Sequence, residues 1–173
     1  SAPLDRQYPQ PTALNTVLGS QAKVWTNGGS SITKGIEFQV AFTPFENSSL
    51  HISYAYARVS GSFLSEINPE IRDDLSNNIP RNTSSVLWQH KTANNWRGSF
   101  AYYFMTEMEW GGGGDVIPKY DRWDFNIIKT LRFGKTTGEF GLTAQNLTDK
   151  KYSEFRFENE FGRRVFLQFK LSL

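Results

Sequence analysis

The chain has 173 residues, 38 % hydrophobic and 15 % aromatic, enough for one domain's core but below the usual apolar share. Its 19 Lys and Arg against 17 Asp and Glu leave a net charge of +2, and no segment gathers the cations, which removes the electrostatic case for nucleic acid. Cysteine is absent, so disulfide frameworks, thiolate metal sites and Cys nucleophiles are excluded.

No apolar run approaches the roughly 20 residues of a membrane-spanning helix. The first eleven residues, SAPLDRQYPQP, are polar and Pro-rich rather than a signal peptide. Barrel strands, with about 9–11 residues of alternating character, give a weaker hydropathy signal and stay open.

Residues 1–30 hold three prolines and a Gly-Gly with little periodicity, and they are expected to be mostly loop. From Ser31 the period becomes two. Ile36, Phe38, Val40 and Phe42 alternate with Glu37, Gln39 and Ala41, the pattern of a strand between two unlike environments. After the short turn FENSS, Leu50, Ile52, Tyr54 and Tyr56 alternate with His51, Ser53, Ala55 and Ala57. A long polar stretch, 64–82, precedes a strand near TSSVLWQHKT, and Ala93, Asn94 and Asn95 turn the chain back. In the returning strand Trp96, Phe100, Tyr102 and Phe104 oppose Arg97, Ser99, Ala101 and Tyr103, until GGGGDVIPKYDR interrupts.

Trp123, Phe125, Ile127, Leu131 and Phe133 then alternate with Asp124, Asn126, Thr130 and Arg132. Lys129 falls on the apolar parity, so it either snorkels toward an interface or marks a one-residue shift of phase. GKTTGE turns into EFGLTAQNL, and the connection TDKKYSEFRFENEF delivers the last strand, GRRVFLQFKLSL. There Val165, Leu167, Phe169, Leu171 and Leu173 share one face, with Arg164, Phe166, Gln168, Lys170 and Ser172 on the other.

About seven strands follow from this pattern. The connections FENSS, TANN and GKTTGE are short, while 64–81, 111–121 and 147–161 are long. Successive antiparallel connections lie at opposite ends of a sheet, so the short ones share one end and the long ones the other. Transmembrane barrels are built this way. Trp96 and Phe133 beside short turns, with Trp110 and Trp123 beside a long loop, would form the two aromatic bands of such a barrel.

Catalytic signals are weak. His51 and His90 stand on separate strands without a metal-ligand spacing, and no helix follows GGGGD to complete a phosphate cradle. Glu107, Glu109, Asp115 and Asp121 cluster near that loop, but nothing sets the separation that paired glycosidase carboxylates need. The N-x-S/T triplets at Asn47, Asn82 and Asn146 are expected by chance in so polar a chain.

Several segments together resemble one family. AQNLTDKKY (144–152) followed by a loop and FGRRVFLQFKLSL looks like the C-terminal end of a TonB-dependent outer-membrane receptor, where a penultimate strand enters an N-L-x-D-K-x-Y segment. KGIEFQVAFTP (34–44), IPRNTSSVLWQ (79–89) and YDRWDFNIIKTLRF (120–133) resemble strands of the same family in the same order.

The resemblance implies an all-β, antiparallel transmembrane barrel of about 22 strands around a plug. Residues 1–173 would be its C-terminal portion, with plug and TonB-contacting box lying outside the chain. It implies active uptake of a scarce nutrient, a ferric siderophore or related metal chelate first, without enzymatic activity or a resident cofactor. Expected partners are outer-membrane lipid, the rest of the barrel and plug, TonB through N-terminal parts, the barrel-insertion machinery and the chelate.

Phe38, Val40, Tyr54, Phe100 and Phe169 would face lipid. Tyr103, Trp110, Tyr120 and Arg122 would face ligand from the lumen or outer vestibule, through stacking and charge-assisted bonds. The insertion signal would fall on Val165, Leu167, Phe169, Leu171 and Leu173, although the family usually ends on an aromatic residue and this chain ends on Leu. Two rival architectures stay open: a soluble β-sandwich binding carbohydrate on Trp and Tyr platforms, and a self-contained eight-stranded outer-membrane barrel drawing one more strand from residues 14–26.

Overall fold

The structure, a computed structural model, describes residues 6–9, 21–24, 29–63, 75–109, 115–154 and 158–172. Leu173, Trp110 and most of the stretch 14–26 lie outside the described residues. Thirteen strands are described: β1 Arg6–Pro9, β2 Gln21–Val24, β3 Gly29–Phe42, β4 Ser48–Phe63, β5 Asn82–Lys91, β6 Trp96–Met105, β7 Met108–Glu109, β8 Val116–Ile117, β9 Tyr120–Phe133, β10 Thr136–Gln145, β11 Tyr152–Ser153, β12 Glu160–Phe161 and β13 Arg164–Ser172.

Seven of them make one antiparallel sheet in the order β13-β10-β9-β6-β5-β4-β3. Every long strand therefore pairs with its neighbours in the chain, and the sheet is a meander. Part of the expected N-terminal loop is corrected, because β1 and β2 pair with each other there, with Arg6 opposite Val24.

The short connections 43–47, 92–95 and 134–135 lie at one end, and 64–81, 106–119 and 146–163 at the other. Each short turn contains a left-handed residue that Asn or Gly adopts at little cost: Asn47 at φ 60°, Asn95 at φ 60° and Gly134 at φ 61°. At Gly35 the two strands run so close that a Cβ would collide with the Tyr56 carbonyl oxygen.

The register carries the alternation across the whole sheet. Directly paired residues project from the same side. One row of partners runs Phe42, Leu50, Trp88, Phe100, Phe125, Ala144, Val165, apolar on all seven strands. A row of the opposite parity runs Gln39, Ser53, Ser85, Tyr103, Arg122. The apolar row starts on the last residue of β3 and finishes on the second residue of β13, so successive strands are staggered, as the shear of a barrel wall requires.

Lys129 is in phase, opposite Trp96 on β6 and Phe140 on β10. Its ammonium runs to the short-turn end, where it donates to the Asn94 carbonyl at 2.6 Å and lies 5.0 Å from the centre of the Trp96 ring. A cation on the apolar face is thus satisfied by a turn carbonyl and an aromatic ring rather than by a shift of register.

The apolar face has no second layer over it among the described residues. Phe38 is 48 % exposed, Val40 45 %, Leu167 72 % and Phe169 68 %. A two-sheet sandwich is therefore not what the described residues form. Neither do they close a small barrel, because β3 and β13 are the two outermost strands, each with a single neighbour in the sheet.

Candidate functional site

At the long-loop end of the polar face, three strands bring the aromatic and charged residues together. Tyr103 on β6 is the direct partner of Arg122 on β9, and Tyr120 lies two residues before Arg122 on the same side. The Arg122 guanidinium stands 4.6 Å from the Tyr103 ring centre and 5.7 Å from that of Tyr152. Its Nη1 donates to the Tyr152 hydroxyl at 2.9 Å and to Glu154 Oε1 at 3.2 Å. Tyr120 packs against Tyr152 with ring centres 4.7 Å apart.

Arg122 Nε is 3.2 Å from Asp124 Oδ1 but makes no directed hydrogen bond, and it is buried. That contact is Coulombic. The same carboxylate oxygen accepts the backbone N–H of Asn146 at 2.9 Å. Arg122 is thus engaged by two carboxylates, a hydroxyl and two ring faces, and it acts here as the post on which the connection after β10 is hung.

The N-L-T-D-K-K-Y segment explains how that connection holds its shape. Asn146 ends β10 in a left-handed conformation, φ 55°, and is 1 % exposed. Its Nδ2 donates to the Lys150 carbonyl at 2.8 Å, and its carbonyl accepts the Asp149 N–H at 3.0 Å. Leu147 N–H donates to the Trp123 carbonyl at 2.8 Å, continuing the pairing with β9 past the end of the strand. Asp149, also left-handed at φ 55°, accepts the Arg163 backbone N–H at 2.8 Å, and Lys150 reaches Asp121 at 2.9 Å. Tyr152 then arrives buried against Arg122 and Tyr120. Every polar residue of the motif has a partner, so its composition reflects a turn being locked to the wall.

Tyr103, Tyr120 and Arg122 are therefore gathered at one place. Trp110, named with them, lies outside the described residues. Tyr152, Asp124, Glu154 and Asn146 complete the group without having been named as site residues. The legible signal for Asn146 and Tyr152 was the N-L-x-D-K-x-Y segment itself, which begins on the one and ends on the other, whereas Asp124 and Glu154 lie outside it.

An open hollow of about 260 Å³ adjoins the group, lined by Glu37, Ser53, Ser85, Met105, Tyr103 and Tyr120 among others. A larger one of about 520 Å³ lies toward the short turns, lined by polar residues such as Gln89, Lys91, Arg97 and Asn126. Tyr103 and Tyr120 bring phenol rings to the first, whereas the second has the imidazole of His90.

The remaining candidates separate. His51 and His90 project from opposite faces, and His90 Nδ1 lies 2.7 Å from Ser48 Oγ. Among the described residues no three His, Asp or Glu side chains gather as a metal site. Asp121 is turned to Lys150 instead of toward another carboxylate.

Phe38, Val40, Tyr54, Phe100 and Phe169 all share the apolar face, and Val165, Leu167 and Leu171 share it with them. Phe38 touches Tyr54 across the strands with ring centres 5.6 Å apart.

Compared with known families, the chain matches one described as TonB dependent receptor-like, beta-barrel, over residues 5–147. No curated protein matches it. The matched span takes in β1 to β10 and so most of the meander, including the site on β6 and β9. The chain belongs to the TonB-dependent receptor β-barrel family, whose members are receptors and transporters of the Gram-negative outer membrane rather than enzymes.

Proposed function

We propose that this chain is the C-terminal stretch of wall in a larger, plugged barrel that takes up a metal chelate, most specifically a ferric siderophore. The observation that carries the reading is the sorting of faces. An apolar face stays exposed across a staggered sheet, and the opposite face carries most of the polar residues, among them Gln39, Ser53, Ser85, Arg122 and Asn126. Only hydrocarbon satisfies such a face without a second protein layer, and each ring transferred from water contributes about 1.5–3 kcal/mol. In this reading Phe38, Val40, Tyr54, Phe100 and Phe169 touch lipid, and Val165, Leu167, Phe169, Leu171 and Leu173 form the strand engaged by the insertion machinery.

The polar face lines the lumen. Tyr103 and Tyr120 offer ring faces to a catechol-like or other planar chelate beside the hollow, with Trp110 on the following loop, while Arg122 holds the rings in place and lends positive potential. Gating and energy coupling belong to the plug and to TonB, outside these residues. The unpaired edges of β3 and β13 would be closed by the rest of the barrel.

Two measurements on the complete receptor test this. Spin labels placed at Phe38, Val40, Tyr54, Phe100 and Phe169 should collide with oxygen dissolved in the bilayer, and labels at Gln39, Ser53 and Ala101 with a water-soluble nickel chelate. Equal accessibility on both parities would sink the wall assignment. Separately, Tyr103→Ala is expected to weaken binding of a ferric catecholate about tenfold. Unchanged binding would remove that ligand class from this site.

A further inference from the structure

Lys34 and Arg58 are direct cross-strand partners on β3 and β4. They stand on the apolar face, one pleat beyond Ile36 and Tyr56 toward the long-loop end. Both are exposed, and among the described residues neither meets a carboxylate, an acceptor or a ring. Two like charges directly opposite each other destabilise an antiparallel pair. Two cations of the connection after β10, at this same end, are compensated, Lys150 by Asp121 at 2.9 Å and Arg163 by Asp149 at 3.4 Å. At the far end of the same face Lys129 is satisfied by a carbonyl.

The pair is also continuous with an apolar track. Below it on the same side of β3 come Ile36, 72 % exposed, then Phe38 and Val40. A soluble anion would use the two cations alone. An amphiphile with an anionic head and acyl chains would use both the cations and the track, which matches this surface along its whole length.

We propose that the apolar side of β3 and β4 binds the phosphate headgroup of a membrane lipid, with Lys34 and Arg58 on the phosphate and the acyl chains along Ile36, Phe38 and Val40. The proposal rests on the reading of that face as lipid-exposed. A competing occupant is the acidic segment of this chain that follows β4, which carries Glu66, Glu70, Asp73 and Asp74.

The test uses the complete barrel protein in vesicles of a zwitterionic phospholipid, with and without a phosphate-monoester lipid. Retained lipid is counted by native mass spectrometry, and thermal unfolding is followed in parallel. The wild type should retain the monoester lipid and unfold at a higher temperature with it. The variant Lys34→Ala/Arg58→Ala should hold it about thirty-fold more weakly, and the charge-keeping variant Lys34→Arg/Arg58→Lys should hold it nearly as well as wild type.

Equal retention by wild type and the alanine variant would overturn the proposal. So would displacement by millimolar inorganic phosphate, which would mean a soluble-anion site. A loss of stability in the alanine variant that is the same with and without the monoester lipid would assign the pair to the acidic segment. Insertion into purely zwitterionic vesicles reports the lipid-facing reading by itself, so failure of that reading and failure of this one are separable.

Discussion

The two ends of the sheet solve the same problem in different ways. At the short-turn end each hairpin closes on residues adjacent in sequence: Asn47, Asn95 and Gly134 supply the left-handed corner, and the Asn95 N–H returns to Thr92 O at 3.2 Å. At the long-loop end order comes from partners far apart along the chain, with Arg122 bonded to Tyr152, and Asp124 to Asn146. The loops at that end also carry a small core of their own. Leu75, Met108 and Ile117 are buried there, as is Val59 toward that end of β4, and the Glu109 N–H reaches across to Asn77 O at 2.7 Å. Short turns closed by their own residues lose little chain entropy on forming, whereas the longer connections depend on partners supplied by other strands.

If the ends differ as described, substitutions at the long-loop end should cost more than those at the short-turn end. The largest effect is expected at Ile117, which is fully buried opposite Met108. Ile117→Ala should cost about 3 kcal/mol, felt locally. Hydrogen exchange across 106–119 should accelerate while the urea midpoint of the whole barrel barely moves, and an equal loss in both would mean that the loop core is not a separate unit.

Next comes Asn146→Ala, which removes the bond to Lys150 and puts a Cβ-bearing residue without a local hydrogen bond into a left-handed conformation. A loss of about 2–3 kcal/mol in the urea midpoint is expected, with Asn146→Gly recovering about 1 kcal/mol of it by relieving the backbone.

Arg122→Ala should cost about 1–2 kcal/mol. The cluster is only partly buried, with side-chain exposures of 19 % for Arg122 and 16 % for Asp124, so the full penalty of a buried ion pair does not apply. The sharper readout is proteolysis within 152–161, which should speed up several-fold as Tyr152 loses its anchor. No change in cleavage would contradict the role of Arg122 as the post for that loop.

The smallest effect is expected for Arg97→Ala, at the short-turn end. Its pairing with Glu139 joins two partly exposed side chains, at 48 % and 31 %, and should be worth no more than about 0.5 kcal/mol. A loss larger than that of Arg122→Ala would reverse the ranking of the two ends.

Much of this architecture was legible because strand alternation is a geometric property of the backbone. Val40 and Ile52 had to share a side once their strands paired in register, and neither needed a specific contact to do so. The alternation of short and long connections was readable for the same reason. The loop core was not, since Leu75 and Ile117 belong to segments without periodicity and their burial comes from tertiary packing. Nor was the part played by Arg122, whose residue type suits a ligand contact as well as a structural post. The short strands β1 and β2 were hidden by the prolines and by their length of four residues each.

The amino-acid sequence alone determined which side chains face which way, where the chain turns, and to which family it belongs, because all three depend on local order along the chain. Tertiary structure decided where Lys129 sends its charge, what holds Tyr152, and that Lys34 and Arg58 stand directly opposite each other. Those outcomes depend on residues brought close from separations of 24 to 35 positions, as in the bonds of Lys129 to Asn94 and Arg122 to Tyr152 and the register partnership of Lys34 and Arg58. A period-two pattern says which side of the sheet a residue occupies, and only the register between strands says who its neighbour is.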